Sequence, residues 1–173
     1  FPYTQDILRA LPELEAEPVD SEAEIHALLD REEAPESAGK RYLYLACNPN
    51  RFFKLCPGLV PELACCEVQV LNSAVGCDLD CTYCFLQTYL PYSLVTHFVN
   101  LDDMLRELDT LLAGRPGEFT RVCTGELSDS LSLDHLVGLS RRLVPEFARR
   151  ERVSLELKTK TANIAQLEGL EPK

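Results

Sequence analysis

Segments typical of β-strands and of α-helices alternate along most of this 173-residue chain. Alternating or β-branched apolar residues predict strands at 41–45, 66–72, 96–100, 119–124 and 153–158. Apolar residues at helical spacing predict one helix from Leu101 to Leu112, ending at Gly114, and another from Leu133 to Phe147. This order predicts an α/β fold with a parallel sheet and helical crossovers. In such sheets, active sites collect at the carboxyl ends of the strands.

The segment before the first predicted strand has a different composition, since it is acidic and contains several prolines. Within it, residues 21–29 have the pattern of an amphipathic helix with Ser21 as its N-cap. The predicted regions are an acidic, peripheral N-terminal extension with one helix (1–39), a cysteine-containing lead-in with a loop at 48–58 (40–66), and an α/β domain (67–173). Three or four β/α units make only part of a closed barrel, so we expect the rest of the barrel to be supplied elsewhere.

The charge balance limits the surfaces that this chain can present. It has 28 Asp and Glu against 17 Lys and Arg, which gives a formal net charge of −11. A generally basic, phosphate-binding surface is therefore excluded, although a local basic groove is not. Candidates for such a groove include Lys40, Arg41, Arg51 and Lys54. The sequence has no apolar run long enough to cross a bilayer and no basic-then-apolar start, so we expect a cytoplasmic protein that does not bind membranes.

Eight cysteines are many for a chain of this size. A disulfide framework is typical of small secreted domains, whereas this chain lacks a signal peptide pattern and has enough apolar residues for an ordinary core. The cysteines therefore favour a metal site. Three of them, Cys77, Cys81 and Cys84, lie on one short loop directly after the predicted strand 66–72.

The spacing in this cysteine loop (residues 77–84) fits two kinds of metal centre. Three thiolates spaced in this way can hold one cubic iron–sulfur cluster and leave its fourth iron open, which is what a substrate-binding cluster needs. A structural zinc site would need a fourth ligand, which Cys56, Cys65 or Cys66 could supply. The spacing favours the cluster, and a zinc-binding structural or interaction module is the alternative.

The motifs around this loop resemble those of a known family. The pattern Cys77-x3-Cys81-x2-Cys84, with Tyr83 before the third cysteine, resembles the radical S-adenosylmethionine superfamily. A longer series, in order from about Lys40 to Leu167, resembles the spore photoproduct lyase family. Its motifs are Cys56-Pro-Gly58, Cys65-Cys66, Val70-Leu-Asn72, Cys81-Thr-Tyr-Cys84-Phe-Leu-Gln87, Val99-Asn-Leu101, Cys123-Thr-Gly-Glu126, Asp129-Ser-Leu131 and Lys158-Thr-Lys-Thr-Ala-Asn-Ile164. The resemblance implies the first half of the (β/α) barrel found in radical S-adenosylmethionine enzymes.

This resemblance implies two cofactors and a reaction. A [4Fe–4S] cluster would be bound by Cys77, Cys81 and Cys84, and S-adenosylmethionine would chelate its open iron. One electron, from a donor such as flavodoxin or ferredoxin, would break the sulfur–C5′ bond. The resulting 5′-deoxyadenosyl radical would take a hydrogen atom from a thymine dimer in damaged DNA, and the dimer would fragment back to two thymines.

Three residues at predicted strand ends match positions that bind S-adenosylmethionine in the family. Glu126 and the backbone at Gly125 would receive the ammonium group of the methionyl moiety, and Lys160 would pair with its carboxylate. Some family members have serine where this chain has Gly125. Without the resemblance, Glu126 as a cap of the following helix and Lys160 as a solvated cation are equally good interpretations.

Two residues match those that return hydrogen to the product in the family. Cys123 matches the thiol that donates a hydrogen atom to the product radical, and Tyr83 matches one of two tyrosines that pass a hydrogen atom onward. The second tyrosine is replaced by Phe85, whose phenyl ring cannot relay a hydrogen atom. A radical enzyme with a different substrate is therefore one alternative, and a buried, unreactive thiol is the alternative for Cys123.

Overall fold

The strands form two sheets in the computed structural model, which describes residues 1–58, 67–90 and 92–172. In chain order they are β1 (Leu43–Ala46), β2 (Phe53–Leu55), β3 (Gln69–Leu71), β4 (Ala74–Val75), β5 (Val95–Phe98), β6 (Thr120–Cys123) and β7 (Val153–Glu156). One sheet has the order β2-β3-β6-β7, in which β3, β6 and β7 are parallel and β2 is antiparallel to β3. The other has the order β1-β5-β4, with β1 and β5 parallel and β4 antiparallel to β5.

This arrangement confirms the predicted α/β fold and corrects its sheet. All five predicted strands are present, as β1, β3, β5, β6 and β7, although Cys66 at the start of one prediction lies outside the described residues. They do not form one parallel sheet, because β5 pairs with β1 while β3 pairs directly with β6. The predicted loop 48–58 contains β2, whose Phe53 lies opposite Leu71 in the core. Three residues between turn-forming neighbours give too short an alternation to predict a strand.

The helices lie between and before the strands. They are α1 (Pro2–Ala10), α2 (Glu22–Leu29), α3 (Pro35–Ala38), α4 (Leu86–Tyr89), α5 (Leu101–Ala113), α6 (Asp134–Val137) and α7 (Leu139–Ala148), with short 3₁₀ turns at Gly39–Arg41 and Ala165–Leu167. The predicted helix that ends at Gly114 is confirmed as α5. The other is wrong as a single helix, because Gly138 has a left-handed backbone with φ of 61° and separates α6 from α7. Among the described helices, none is long and apolar enough to span a bilayer.

The main core lies between the helices and one face of the four-stranded sheet. Leu108 of α5 and Leu143 of α7 are almost fully buried in the same cluster as Leu71 and Val122. Burying a leucine side chain stabilises a fold by roughly 1.5–3 kcal/mol, so this covered face accounts for much of the stability. Because side chains alternate along a strand, Cys123 points to the opposite face, where it packs with Val70.

The N-terminal segment is part of the core, which the sequence did not predict. Tyr3 and Ile7 of α1 are buried in the main cluster, and the Tyr3 hydroxyl donates to the Val137 carbonyl at 3.0 Å. The same hydroxyl lies 2.9 Å from Nε2 of the buried His97. The prediction of one helix in a peripheral extension is therefore wrong, because three helices are present and α1 packs on distant residues. Helix α2 is confirmed and begins after Ser21, but the Ser21 side chain makes no capping hydrogen bond. The boundaries 1–39, 40–66 and 67–173 stay a prediction.

Candidate active site

The cysteine loop begins two residues after β4 and contains three free thiols. Cys77, Cys81 and Cys84 are each half-buried. A tight turn brings the second and third together, because the N–H of Cys84 donates to the Cys81 carbonyl at 2.9 Å. The Gln87 side chain donates to that same carbonyl at 2.8 Å. Two aromatic side chains project into solvent beside the third cysteine: Tyr83 is 74% exposed and Phe85 is 68% exposed.

Residues from distant parts of the chain hold this loop in place. The ammonium group of Lys40 donates to the Leu79 carbonyl at 2.8 Å and lies 2.5 Å from Oδ1 of Asp80. At the start of the loop, the N–H of Gly76 donates to the Leu127 carbonyl at 2.9 Å. Gly76 has a φ of 87°, and a Cβ atom there would lie 2.0 Å from the Leu94 carbonyl oxygen. Only glycine can make this close approach.

The donor chemistry of the loop fits an iron–sulfur cluster. Within the described residues, no three His, Cys, Asp or Glu side chains are gathered closely enough to hold one metal ion. Cysteine thiolates are the usual ligands of iron–sulfur clusters, and the loop offers three of them. Burial raises the pKa of the Cys77 thiol, and the Asp78 carboxylate adds to this effect. The zinc alternative stays a prediction, because Cys65 and Cys66 lie outside the described residues.

The loop after β6 carries the candidates for binding the methionyl group. Gly125 has a φ of 77°, and a Cβ atom there would lie 2.8 Å from the Lys158 carbonyl oxygen and 2.9 Å from Oγ of Ser130. The neighbouring Thr124 hydroxyl lies 2.6 Å from that same Ser130 Oγ. A serine at position 125 would not fit this backbone, so the glycine is required by the way the two loops pack here.

Glu126 is paired with a lysine that the sequence analysis did not assign to the site. Its Oε2 lies 2.6 Å from Nζ of Lys54, although the two atoms are not aligned as a hydrogen bond. The Glu126 side chain is 22% exposed. Lys54 lies on β2 opposite Val70, so it projects from the same face of the sheet as Cys123. The Lys-between-apolar pattern at 53–55 would have indicated this position if β2 had been predicted.

Lys160 lies in the loop after β7, where its side chain is exposed. Asp129, from the loop after β6, accepts the N–H of Lys160 at 2.7 Å and the Thr159 hydroxyl at 2.7 Å. Gly76, Asp78 and Asp129 also line one small cavity. The structure thus brings the predicted strand ends together, with Asp129 between the cysteine loop and Lys160.

The two candidates for hydrogen return lie in contrasting environments. Cys123 is 1% exposed and packs with Val68 and Val70, whereas Tyr83 is open to solvent. A hydrogen bond with the Cys123 side chain raises the pKa of Lys158 above its ordinary value. Cys123 therefore has a polar neighbour as well as an apolar one, and its role stays a prediction.

Comparison with known proteins places the chain in a family. The sequence model of the family described as spore photoproduct lyase matches residues 66–172. The chain belongs to the spore photoproduct lyase family. Curated spore photoproduct lyases from Bacillus subtilis (strain 168) and Geobacillus sp. (strain Y412MC61) are each 32% identical over 97 residues, which is 54% of this chain and 28% of theirs.

Solved structures of spore photoproduct lyases share the fold. A double mutant with bound AdoMet and dinucleoside spore photoproduct superimposes with a TM-score of 0.75 at 21% identity, over 98% of this chain and 49% of that one. A single mutant with dinucleoside spore photoproduct gives 0.73, over 96% and 48%. This chain therefore spans about half the length of the solved proteins, and the predicted partial barrel is confirmed.

The stretch matched to the spore photoproduct lyase family contains every predicted site residue. The cysteine loop, Cys123, Glu126 and Lys160 all lie within 66–172. Lys40 and Lys54 lie before it, yet both contact residues inside it. The described structure therefore adds two cations from outside the matched stretch to the candidate site.

Proposed function

We propose that this chain is part of a radical S-adenosylmethionine enzyme that reverses spore photoproduct, a thymine dimer joined through a methyl group, in damaged DNA. The observation that carries the proposal is that a member of the spore photoproduct lyase family has three free thiols on one short loop, and Glu126 and Lys160 on the loops that follow two neighbouring parallel strands. The remaining part of the barrel and a one-electron donor such as flavodoxin or ferredoxin would complete the enzyme.

The residues of the loops would divide the binding of two cofactors. Cys77, Cys81 and Cys84 would hold a [4Fe–4S] cluster, which together with S-adenosylmethionine supplies a 5′-deoxyadenosyl radical when both are bound. Glu126 would accept the ammonium group of the methionyl moiety, because its carboxylate is half-buried and its Oε2 accepts no hydrogen bond from the described residues. Lys160 would pair with the methionyl carboxylate, and the backbone at Gly125 would help to receive the ammonium group.

Cys123 and Tyr83 would return hydrogen to the repaired thymine. Burial supports Cys123 as a donor of hydrogen atoms, since a thiol shielded from solvent is protected from unwanted oxidation. Tyr83 would act without a second tyrosine, because Phe85 has no hydroxyl. Replacing Cys123 by Ala should leave cleavage of S-adenosylmethionine intact and change the products formed from the dimer. Unchanged products would remove Cys123 from this role.

An anaerobic assay tests the proposed function. The protein is reconstituted with iron and sulfide, reduced, and incubated with S-adenosylmethionine and an oligonucleotide that contains spore photoproduct. We expect bound iron, 5′-deoxyadenosine and restored thymines, and we expect none of the three from a variant with all three loop cysteines replaced by Ala. Colourless protein that binds stoichiometric zinc instead of iron would reject the proposal.

A radical enzyme with a different substrate is the second candidate, and Phe85 is the observation that favours it. Its ring is exposed beside the third cysteine, at the position where a tyrosine would relay hydrogen. Formation of 5′-deoxyadenosine without repaired thymine would select this candidate. Recovery of repair activity in Phe85→Tyr would instead show that the lesion is right and that the relay limits the reaction.

A further inference from the structure

One carboxylate, that of Asp129, ties the loop after β6 to the loop after β7. Its Oδ1 accepts the N–H groups of Leu131 and Ser132, both at 2.9 Å, and the Thr159 hydroxyl at 2.7 Å. Its Oδ2 accepts the N–H of Lys160 at 2.7 Å. Four donors from two loops therefore meet on one half-buried carboxylate, which fixes the main chain at Lys160.

Other hydrogen bonds join the same two loops through neutral groups. The N–H of Ser130 donates to the Lys158 carbonyl at 3.0 Å, and the Asn163 side chain donates to the Leu131 carbonyl at 2.9 Å. Hydrogen bonds to an ionised carboxylate are roughly twice as strong as neutral ones. Asp129 is therefore the strongest link between the loops among the contacts described.

We propose that Asp129 is a positioning residue for Lys160: it sets the direction in which Lys160 presents its ammonium group to the carboxylate of S-adenosylmethionine. The inference rests on the proposed function. The Lys160 side chain is exposed, and within the described part of the chain its Nζ makes no hydrogen bond or ion pair. Its direction therefore depends on its main chain, which Asp129 holds.

An asparagine cannot replace this carboxylate. The Asn side chain carries one acceptor oxygen and one donor NH₂ group. Whichever way it is turned, the NH₂ group faces either the N–H of Lys160 or the three donors that converge on Oδ1. Asp129→Asn should therefore release Lys160 while it changes the volume of the side chain very little.

The test compares two ligands that differ only in the group that Lys160 would bind. Affinities of the reconstituted protein for S-adenosylmethionine and for decarboxylated S-adenosylmethionine are measured anaerobically by calorimetry, for wild type, D129N, K160M and D129N/K160M. We expect D129N to weaken binding of S-adenosylmethionine about tenfold or more, because an interaction with a charged group contributes roughly 1.5–3 kcal/mol. Binding of the decarboxylated ligand should change less than twofold, and the double variant should bind no more weakly than K160M.

Each contrary outcome has a distinct meaning. Equal weakening of both ligands by D129N, or no weakening of either, overturns the positioning role. Additive losses in the double variant also overturn it, because Asp129 would then act independently of Lys160. If wild type binds neither ligand, the proposed function fails and the role of Asp129 fails with it.

Two further variants keep the test decisive if D129N folds poorly. Thr159→Val removes one of the four hydrogen bonds to Asp129 and the acceptor of the Thr161 N–H, and it keeps the carboxylate. It should give the same selective pattern with an effect of at least two- to threefold, roughly that of one weak hydrogen bond. Asp134→Asn is the matched control. Asp134 is a buried carboxylate that accepts the N–H and hydroxyl of Ser140 at the α6–α7 junction, and within the described residues its side chain makes no hydrogen bond to Lys160 or to the loop after β7. It should lower the melting temperature without distinguishing the two ligands.

Discussion

The two faces of the four-stranded sheet differ in what their side chains do. On the face covered by α5 and α7, Leu71 and Val122 pack against leucines and are almost fully buried. On the second face lie Cys123 of β6 and Lys54 of β2, which pairs with Glu126 from the loop after β6. Because successive side chains alternate, β6, a strand of four residues, has a core side chain on one face and Cys123 on the other. The comparison teaches that stability and chemistry are separated here by strand alternation rather than by separate domains.

The largest expected effect comes from a cavity on the covered face. Leu143→Ala removes a side chain that is 1% exposed, and we expect a loss of about 2–5 kcal/mol in the free energy of unfolding. Urea denaturation monitored by circular dichroism measures it. The affinity for S-adenosylmethionine should stay within twofold at a temperature where the variant is folded. A large loss of affinity would contradict the idea that the covered face contributes stability alone.

A second effect of similar size depends on pH and on a buried histidine of the three-stranded sheet. Burial lowers the pKa of His97 to about 4 from the ordinary value of 6.5. Between these two pH values the imidazole is protonated in the unfolded chain and neutral in the folded chain. The free energy of unfolding therefore decreases as the pH falls from about 6.5 towards 4. The loss attributable to His97 is about 3 kcal/mol at pH 4.

Denaturation curves at pH 7 and pH 4 measure this loss. Carboxylates also contribute to acid destabilisation, so the comparison is made with His97→Gln, in which the drop in stability between the two pH values should be smaller by that amount. Identical drops in wild type and His97→Gln would show that this imidazole is not held neutral by burial.

A smaller free-energy effect is expected on the second face, and it should appear in binding instead of stability. Glu126→Gln removes the charge proposed to receive the methionyl ammonium, so affinity for S-adenosylmethionine should fall roughly 10- to 100-fold. The free energy of unfolding should change by less than about 1 kcal/mol, because the partner Lys54 is 43% exposed and can be solvated. Calorimetry and urea denaturation on the same preparations separate the two quantities. A loss of stability without a loss of affinity would place Glu126 among the structural residues.

The smallest expected effect belongs to another carboxylate of that face. Glu156 lies 2.6 Å from Nε of Arg121, and both side chains are at least one-third exposed. Glu156→Gln should change stability by less than about 1 kcal/mol, as is usual for exposed pairs. It should also leave the affinity for S-adenosylmethionine within twofold, which makes it the matched control for Glu126→Gln. A tenfold loss of affinity would mean that charge anywhere on this face supports binding.

The sequence predicted those parts of the fold that depend on local pattern. Helix α5 has a continuous apolar stripe and ends at a glycine, and β6 and β7 have clear strand composition. Helix α1 was missed because the burial of Tyr3 depends on His97 and Val137, which are distant in sequence and can be recognised only when folded. The pairing of Lys54 with Glu126 and the hydrogen bonds of Asp129 were missed for the same reason.

The cysteine trio was predicted as a metal site from its spacing, whereas Glu126 and Lys160 were predicted from the resemblance of their motifs to a known family, and their roles stay predictions. The residues that hold these loops in place, Lys40 and Asp129, were not predicted. They make hydrogen bonds to main-chain groups of other loops. Because every residue type has a main-chain N–H or carbonyl group, the identity of the residue that receives such a hydrogen bond does not reveal it. Sequence motifs therefore indicated which side chains to propose as ligand contacts, and the folded chain was needed to show what holds them.

The contact from Lys40 to the cysteine loop has a consequence for cofactor assembly. A loop that is already held at the Leu79 carbonyl would lose less conformational freedom on binding the proposed iron–sulfur cluster. Part of the ordering would then be completed during folding, before any metal arrives, and the apparent affinity for the proposed cluster would depend on whether the first forty residues are docked. The N-terminal helices would thus influence iron loading from a position that contains none of the cluster's ligands.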